Sequence, residues 1–353
     1  MRRINHFFCK TKASKDVGSD LERRSRDAEG SHVIDAEEAP LDATNKPRTD
    51  GGVEAVAPSA SPGWDVSTIA APFRGIEGLR RRARAQACVD AGIRLLDLGP
   101  LLEARMPRLG EGLFAEVFAT RCPGLPPLCV KSFKDHFTIA PYKEAQTLHA
   151  LRGVPGLPRL VGLCPAPPAL LMTRHGDTTL ASWIDSHMAL IPCLEILLDL
   201  AGILEGLHSQ GFAHNDLKDD NVMLDFELGQ VRVTLIDLGL ATKFCQCPFI
   251  YNRGRSRDAL ESQRSENHFH LSPELFRGGP AAPSTDIYSF GALVEMLMEQ
   301  LEGEAIPEVN RLIQECTDTC PQRRPSIQDV KKRLARLLCA RREGDPRATR
   351  LLR

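Results

Sequence analysis

Apolar positions are unevenly patterned along this chain of 353 residues. Over residues 1 to about 75 neither a period of 2 nor one of 3.6 is sustained, and stretches such as Ala39-Pro40-Leu41-Asp42 and Ala57-Pro58-Ser59-Ala60-Ser61-Pro62-Gly63 typify a composition rich in Ser, Asp, Glu, Ala, Pro and Gly. Such a segment buries too little apolar surface to offset the entropy of ordering it, so residues 1–78 are predicted to be a disordered tail. Leu79-Arg80-Arg81-Arg82-Ala83-Arg84 then opens a helical spacing that continues through Val89, Ile93 and Leu96, a basic amphipathic helix and linker over 79–100. From about residue 101 the pattern changes to short strand-like runs broken by Gly and Pro, and after about 176 it changes again to long helical periodicities. A small sheet followed by helices predicts an α+β chain with two unequal lobes, about 101–175 and about 176–342, and a short tail at 343–353. No internal repeat of 20 to 50 residues is present.

Composition narrows the class. Hydrophobic residues make up 42% and charged residues 26%, which excludes a collagen-like repeat, a disulfide mini-scaffold or disorder throughout. Lysine and arginine number 45 against 46 acids, a net charge of -1, so the electrostatic footprint of a dedicated nucleic-acid binder is missing. The basic run at 79–84 reads as a nuclear-import signal or as the solvated face of its helix. The 11 cysteines form no paired CxxC motif and follow no secretory signal, which predicts reduced thiols in a cytoplasmic or nuclear compartment. Cys245 with Cys247, and Cys316 with Cys320, are weak metal signals and read as buried or loop residues. The most apolar long stretch, Ile191 to Leu207, is interrupted by Glu195, Asp199 and Glu205, so it predicts a core helix rather than a membrane span. Met1-Arg2-Arg3 leads into too few apolar residues for a secretory signal, while a mitochondrial presequence stays open.

Four segments carry candidate chemistry. Leu109-Gly110-Glu111-Gly112-Leu113-Phe114-Ala115-Glu116-Val117 sets small residues between two apparent strands, where backbone N–H groups can approach phosphate oxygens; alone it is also an ordinary hairpin turn. Leu128-Cys129-Val130-Lys131-Ser132-Phe133 is an apolar strand with one lysine, which either snorkels from an edge or needs a buried counter-charge. Glu144, on the helical pattern Glu144, Leu148, Leu151, can supply that charge. His214-Asn215-Asp216-Leu217-Lys218-Asp219-Asp220-Asn221 spaces a potential base and a metal-binding amide across one loop, and Leu235-Ile236-Asp237-Leu238-Gly239 puts a carboxylate between an apolar run and a glycine, suited to a divalent cation at a cleft mouth.

Together these segments resemble the eukaryotic protein kinase family, serine/threonine type, over about residues 105 to 340 and in the family's order. Lys131 matches the phosphate-contacting lysine and Glu144 its helix partner; His214-Asn215-Asp216 stands for His-Arg-Asp, Asp237-Leu238-Gly239 for Asp-Phe-Gly, and Ser272-Pro273-Glu274 for Ala-Pro-Glu. Asp286-Ile287-Tyr288-Ser289-Phe290-Gly291 resembles the large-lobe helix whose aspartate braces the catalytic loop, and Arg324 the arginine that pairs with the Ala-Pro-Glu glutamate. The resemblance implies a bilobal fold, with a small antiparallel-sheet N-lobe and a larger, mainly helical C-lobe. It implies a kinase domain at 101–342 that binds ATP with Mg2+ or Mn2+ and acts on protein substrates, with no nucleic acid and no membrane span.

In that reading Asp216 and Lys218 are catalytic, Asn221 and Asp237 hold the metal, and Gly110, Glu111, Gly112, Ala115, Val117, Lys131, Glu144 and Met172 bind the nucleotide. Thr173 to His175 form the hinge; His214, Leu148 and Leu238 are hydrophobic-spine residues, His214 a packed core histidine; Met172 is also readable as core filler. The chain departs from the family at Ala115, in place of the third glycine, and at Asn215, which removes an arginine that pairs with an activation-loop phosphate. It departs again at Asn267, where a threonine is usual, and at His270, where tyrosine is frequent. Arg253-Gly254-Arg255-Ser256-Arg257 lies inside a long activation segment and reads as flexible. The competing classes are a pseudokinase scaffold, which commonly loses the lysine, the base or a metal ligand, whereas Lys131, Glu144, Asp216, Asn221 and Asp237 are all present, and a small-molecule phosphotransferase, against which Ser272-Pro273-Glu274, Asp286 and Arg324 argue.

Overall fold

The computed structural model describes residues 75–104, 106–122, 124–134, 139–184, 189–227, 230–248, 268–301 and 306–343. Of the tails predicted at 1–78 and 343–353, residues 1–74 and 344–353 lie outside them, as do the basic stretch at 253–257 and Asn267; residues 75–78 open the first helix rather than belonging to a tail, and Glu343 ends the last one.

Helix α1 (Gly75–Asp90) carries the arginine run. Glu77 receives Arg81 at 3.6 Å, four residues on, and Arg84 at 3.4 Å, while Ala85 and Cys88 are wholly buried on the side that meets helix α3 (Ala140–Ala150). The helix closes earlier than the apolar spacing predicts. Gly92, at φ 86, turns the chain, and Ile93 and Leu96 are buried from extended backbone instead: Leu96 N–H donates to the Leu163 carbonyl at 2.9 Å, and Leu163 N–H donates to that of Arg94 at 2.9 Å. Gly162 is required by this approach, because a Cβ there would lie 2.5 Å from Leu96 Cδ1 and 2.9 Å from the Arg94 oxygen. Leu96 is therefore apolar for a sheet edge rather than for a helix face, while Ile93, its N–H bonded to the Cys88 carbonyl at 2.9 Å, packs in the cluster that contains Ala85 and Cys88. A short helix α2 (Gly99–Glu103) follows.

The N-lobe sheet consists of β1 (Arg108–Glu111), β2 (Ala115–Thr120), β3 (Leu128–Phe133), β4 (Leu160–Pro165) and β5 (Pro168–Thr173), in the order β1-β2-β3-β5-β4. Every pairing is antiparallel. Alternation of side chains divides the strands between two apolar clusters: Leu128, Val130 and Leu171 pack with Leu96 and Leu98, whereas Cys129, Leu170 and Met172 pack with Ala145 and Leu148 of α3. Both faces of the central strands are thus covered, one by the 93–101 segment and one by α3.

The C-lobe is mainly helical. Helices α4 (Leu180–Ile184), α5 (Leu190–Ser209), α6 (Pro273–Phe276), α7 (Pro283–Gln300), α8 (Pro307–Cys316) and α9 (Ile327–Glu343) enclose a core in which α9 lies along α5 and α8 along α7. Leu194, Ile196, Leu197, Leu200, Leu204 and Leu207 of α5 are fully buried, as the apolar run predicts, and among the described residues no helix is long and apolar enough to cross a membrane. Strands β6 (Thr178–Thr179), β8 (Val222–Glu227) and β9 (Gln230–Leu235) form one small antiparallel sheet, and β7 (Phe212–Ala213) pairs with β10 (Thr242–Lys243). The β7–β8 and β9–β10 connections carry the chemistry-bearing residues to the face below the N-lobe.

Candidate active site

Backbone geometry makes the glycine turn accessible. Gly110 pairs with Val117 and Glu111 with Glu116, and Gly112 N–H closes the turn on the Ala115 carbonyl at 2.8 Å. A Cβ at Gly110 would meet nothing within 4 Å, and one at Gly112 only the Ala115 oxygen at 3.8 Å. Packing within the protein therefore does not demand glycine at either place; what the residue type provides is room for a ligand against the main chain. Glu111 points to the rim, where it pairs with Arg108 at 2.9 Å and Lys134 at 3.3 Å. Ala115 is buried and Val117, half-buried, packs on the core.

Beneath this turn, Lys131 projects from β3 into a three-charge arrangement. Its Nζ lies 2.8 Å from both carboxylate oxygens of Glu144, on α3, and 2.9 Å from Oδ1 of Asp237. Glu144 is 2% exposed, so the pair is the buried counter-charge that a lysine on an apolar strand requires. Burial by itself would pull the Lys131 ammonium down, but the Glu144 and Asp237 carboxylates outweigh it and raise it above the usual lysine range. Asp237 is in turn held below the usual carboxylate range by the charge of Lys131. Its backbone sits at φ 62, ψ 72, a left-handed conformation that aspartate tolerates, and its side chain also accepts the Gly239 N–H. Leu238, buried next to it, belongs to the same apolar cluster as Leu148, as the spine reading expects.

The loop that follows β7 is hung from one buried carboxylate. Asp286 of α7, with no exposed surface, accepts the backbone N–H groups of His214 at 2.8 Å and Asn215 at 2.9 Å, and lies 2.9 Å from His208 Nε2. His214 is fully buried, with Nε2 3.1 Å from the Ile236 carbonyl oxygen; it is a core residue. Asn215, at φ 65, turns its amide inward. It donates to the carbonyls of Ala213 at 3.2 Å and Leu240 at 3.1 Å, and accepts the Thr285 hydroxyl at 3.2 Å. The residue that replaces the family's arginine thus ties β7, the segment after Asp237 and α7 together.

Asp216 collects donors on both oxygens. Lys218 Nζ lies 3.1 Å from Oδ2, Asn221 Nδ2 donates to the same oxygen at 3.0 Å and to the Asp216 carbonyl at 2.8 Å, and His270 Nε2 stands 3.2 Å from Oδ1. Burial would push the Asp216 carboxyl up, but the His270 hydrogen bond and the Lys218 charge more than reverse it and hold the group well below the usual carboxylate range. Asn221 spends its N–H donors on Asp216, which leaves Oδ1 as an acceptor. With the Asp237 carboxylate this offers two hard oxygen donors, a set suited to a Mg2+ ion that takes its remaining ligands from phosphates and water. Among the described residues no cluster of three or more His, Cys, Asp or Glu side chains forms a separate metal site, and Cys316 is simply buried.

Met172 is 7% exposed on β5, between Cys129 of β3 and Leu160 of β4, and faces the α3 side of the sheet. The hinge that follows is braced by Thr173, whose hydroxyl accepts the Arg159 N–H at 2.8 Å and lies 2.8 Å from His175 Nε2. Farther down, Arg324 forms the two-pronged pair with Glu274, at 2.6 and 3.0 Å. Sequence reasoning did not anticipate His208 and Thr285 as supports or His270 as a partner of Asp216, since none of them lies in a motif whose spacing signals chemistry.

A sequence profile described as the protein kinase domain matches residues 104–305. The chain is 24% identical over 265 residues to the dual specificity protein kinase shkA of Dictyostelium discoideum, a match that covers 65% of this chain and 48% of that protein. It is 37% identical over 110 residues to the probable serine/threonine-protein kinase mkcD of the same organism, covering 31% and 14%. To the human dual specificity testis-specific protein kinase 2 it is 23% identical over 274 residues, covering 69% and 46%. The chain thus spans about half the length, or less, of these relatives. Fold, motif order and profile agree, and the chain belongs to the protein kinase family.

Proposed function

We propose that this chain is an active ATP-dependent protein kinase that transfers the γ-phosphoryl group of MgATP to serine or threonine hydroxyls of protein substrates. The observation that carries the proposal is Lys131 held between Glu144 and Asp237, with the Asp216, Lys218 and Asn221 group assembled on the loop below it. Lys131, Glu144, Asp216, Asn221 and Asp237, of which a pseudokinase scaffold commonly loses one, are all present: Lys131 bonds to Glu144 and Asp237, and Asn221 to Asp216. In the reaction the acceptor oxygen bonds to the γ-phosphorus, the bond to the β–γ bridging oxygen breaks, ADP leaves, and the hydroxyl proton passes to Asp216. Lys131 neutralises the α and β phosphates, Glu144 fixes Lys131, and Lys218 meets the charge on the transferred group. A Mg2+ ion held by Asn221 and Asp237 would supply further neutralisation of the phosphates. Lys218, two residues after Asp216, supports an aliphatic acceptor. The names of the shkA and testis-specific relatives support a second reading, in which tyrosine is accepted as well.

The free cysteines at 88, 122, 129, 164, 193 and 316, all buried, support a reducing cytoplasmic or nuclear location. The functional test is transfer from labelled MgATP to peptide arrays with Ser, Thr or Tyr acceptors, for the wild type and Asp216→Asn. Wild-type transfer, absent in Asp216→Asn while nucleotide binding persists, is the expected result. Equal activity in both refutes the assignment, and label predominantly on tyrosine refutes the acceptor preference alone.

A further inference from the structure

His270 reaches the catalytic loop from 54 positions away, lies 3.2 Å from Asp216 Oδ1 through Nε2, and is 8% exposed. Oδ2 is already engaged by Lys218 and Asn221. An ionised carboxylate only accepts hydrogen bonds, so the ring nitrogen on Oδ1 carries the hydrogen. With that bond made, the acceptor capacity still open on Oδ1 is a single direction, set by the imidazole. His270 occupies the segment just before α6, whose N-terminal Ser272 caps the helix by accepting Leu275 N–H at 3.4 Å. The imidazole is packed at ring-centroid distances of 6.2 Å from His268 and 6.0 Å from Phe269. The ring is thus buried, and its Nε2 is held against Asp216.

We propose that His270 is a positioning residue for the phosphoryl acceptor. Its Nε2–H aligns the Asp216 carboxylate so that the remaining lone pair of Oδ1 faces the substrate hydroxyl. The inference rests on the kinase reading above, and it concerns the acceptor rather than the nucleotide, since the Lys131, Glu144 and Asp237 contacts do not include His270.

Three proteins of this sequence test it: wild type, His270→Gln and His270→Ala, with kcat and both KM values measured at neutral pH. Glutamine keeps an N–H donor. The expected result is a kcat within about threefold of wild type for His270→Gln, and a kcat about tenfold lower for His270→Ala, the loss of one hydrogen bond of about 1.4 kcal/mol. KM for ATP is expected to stay within about twofold in both. Wild-type kcat in His270→Ala, or a His270→Gln protein no more active than His270→Ala, overturns the inference while leaving the kinase reading intact; a wild type that transfers no phosphate to any acceptor refutes the kinase reading itself. A measurement independent of turnover is the imidazole 15N–1H correlation of His270, expected to show an Nε2–H in the wild type and to change in Asp216→Asn. An identical correlation in the two proteins overturns the pairing even if both histidine variants fail to fold.

Discussion

Replacing Arg324 by alanine is a direct test of what holds the C-lobe together. The Arg324 side chain has no exposed surface, whereas that of Glu274 is 25% exposed. Besides its two bonds to Glu274, the guanidinium donates to the carbonyls of Ser284 at 2.8 Å and Asp318 at 2.9 Å, and sits 5.0 Å above the Tyr288 ring. Truncation therefore removes a fork that satisfies one carboxylate and two main-chain acceptors in three separate segments. Breaking a buried pair from one side costs about 3 to 5 kcal/mol. Because Glu274 keeps partial access to water, the lower end applies, about 3 kcal/mol, which for a domain of this size lowers Tm by about 6 to 12 °C. Differential scanning calorimetry, with urea unfolding as a check on reversibility, measures it. Arg324→Lys should recover only part of the loss, since an ammonium cannot make the two-pronged contact or reach all three segments at once. An Arg324→Ala protein that melts within 1 °C of wild type would refute the reasoning.

Asn215→Arg, which restores the family's usual residue, is expected to destabilise the protein by about 1 to 3 kcal/mol, because a longer charged side chain must enter a fully packed site whose three hydrogen bonds it cannot reproduce; a Tm equal to or above wild type would contradict the inward placement of the amide. Asp216 and Asp237 are both held below the usual carboxylate range, so the stability they contribute is present above about pH 4 and is lost as pH falls through their lowered folded values. Lys131→Met removes the main cause for Asp237 and should flatten the fall of the urea midpoint between pH 5 and pH 3, whereas an unchanged slope would count against the pair. Starting the chain at residue 91 uncovers the face of α3 that α1 protects, including Tyr142, whose hydroxyl burial pushes up to about 12; KM for ATP is expected to rise several-fold as Glu144 loses its fixed place, and an unaltered KM would show that α1 does not position α3.

The grouping of Asp216, Lys218 and Asn221, and of Asp237 with Lys131, was legible because the first three lie on one loop at short spacings and Asp237 lies just after an apolar strand. Long-range partners were legible only where the family resemblance names them, as with Asp286 or Glu274 and Arg324. His270, Thr285 and His208 were not, since their roles depend on chain segments brought together by the fold from 54, 70 and 78 positions apart. The end of α1 was misjudged for a different reason. An apolar residue every three or four positions is equally satisfied by a helix stripe and by a turn followed by extended chain, and only the Gly92 turn and the edge of β4 decide between them.

The substitution at Asn215 alters how the catalytic loop is held in place. An arginine there can be ordered from outside, by a phosphate on the activation segment. An asparagine is too short to reach outward, and in this protein it binds inward, to β7, to the chain after Asp237 and to Thr285 of α7, while the adjacent backbone N–H groups bind Asp286 of the same helix. Thr285 and Asp286, both buried, thus hold the loop to α7, and the Leu240 contact extends that support to the segment that carries Asp237. Asp216 and Asp237 are thereby placed by buried contacts, and among the described residues His270 joins Asp216 to the segment leading into α6. A change in the segment before α6 therefore reaches Asp216 Oδ1 through that imidazole.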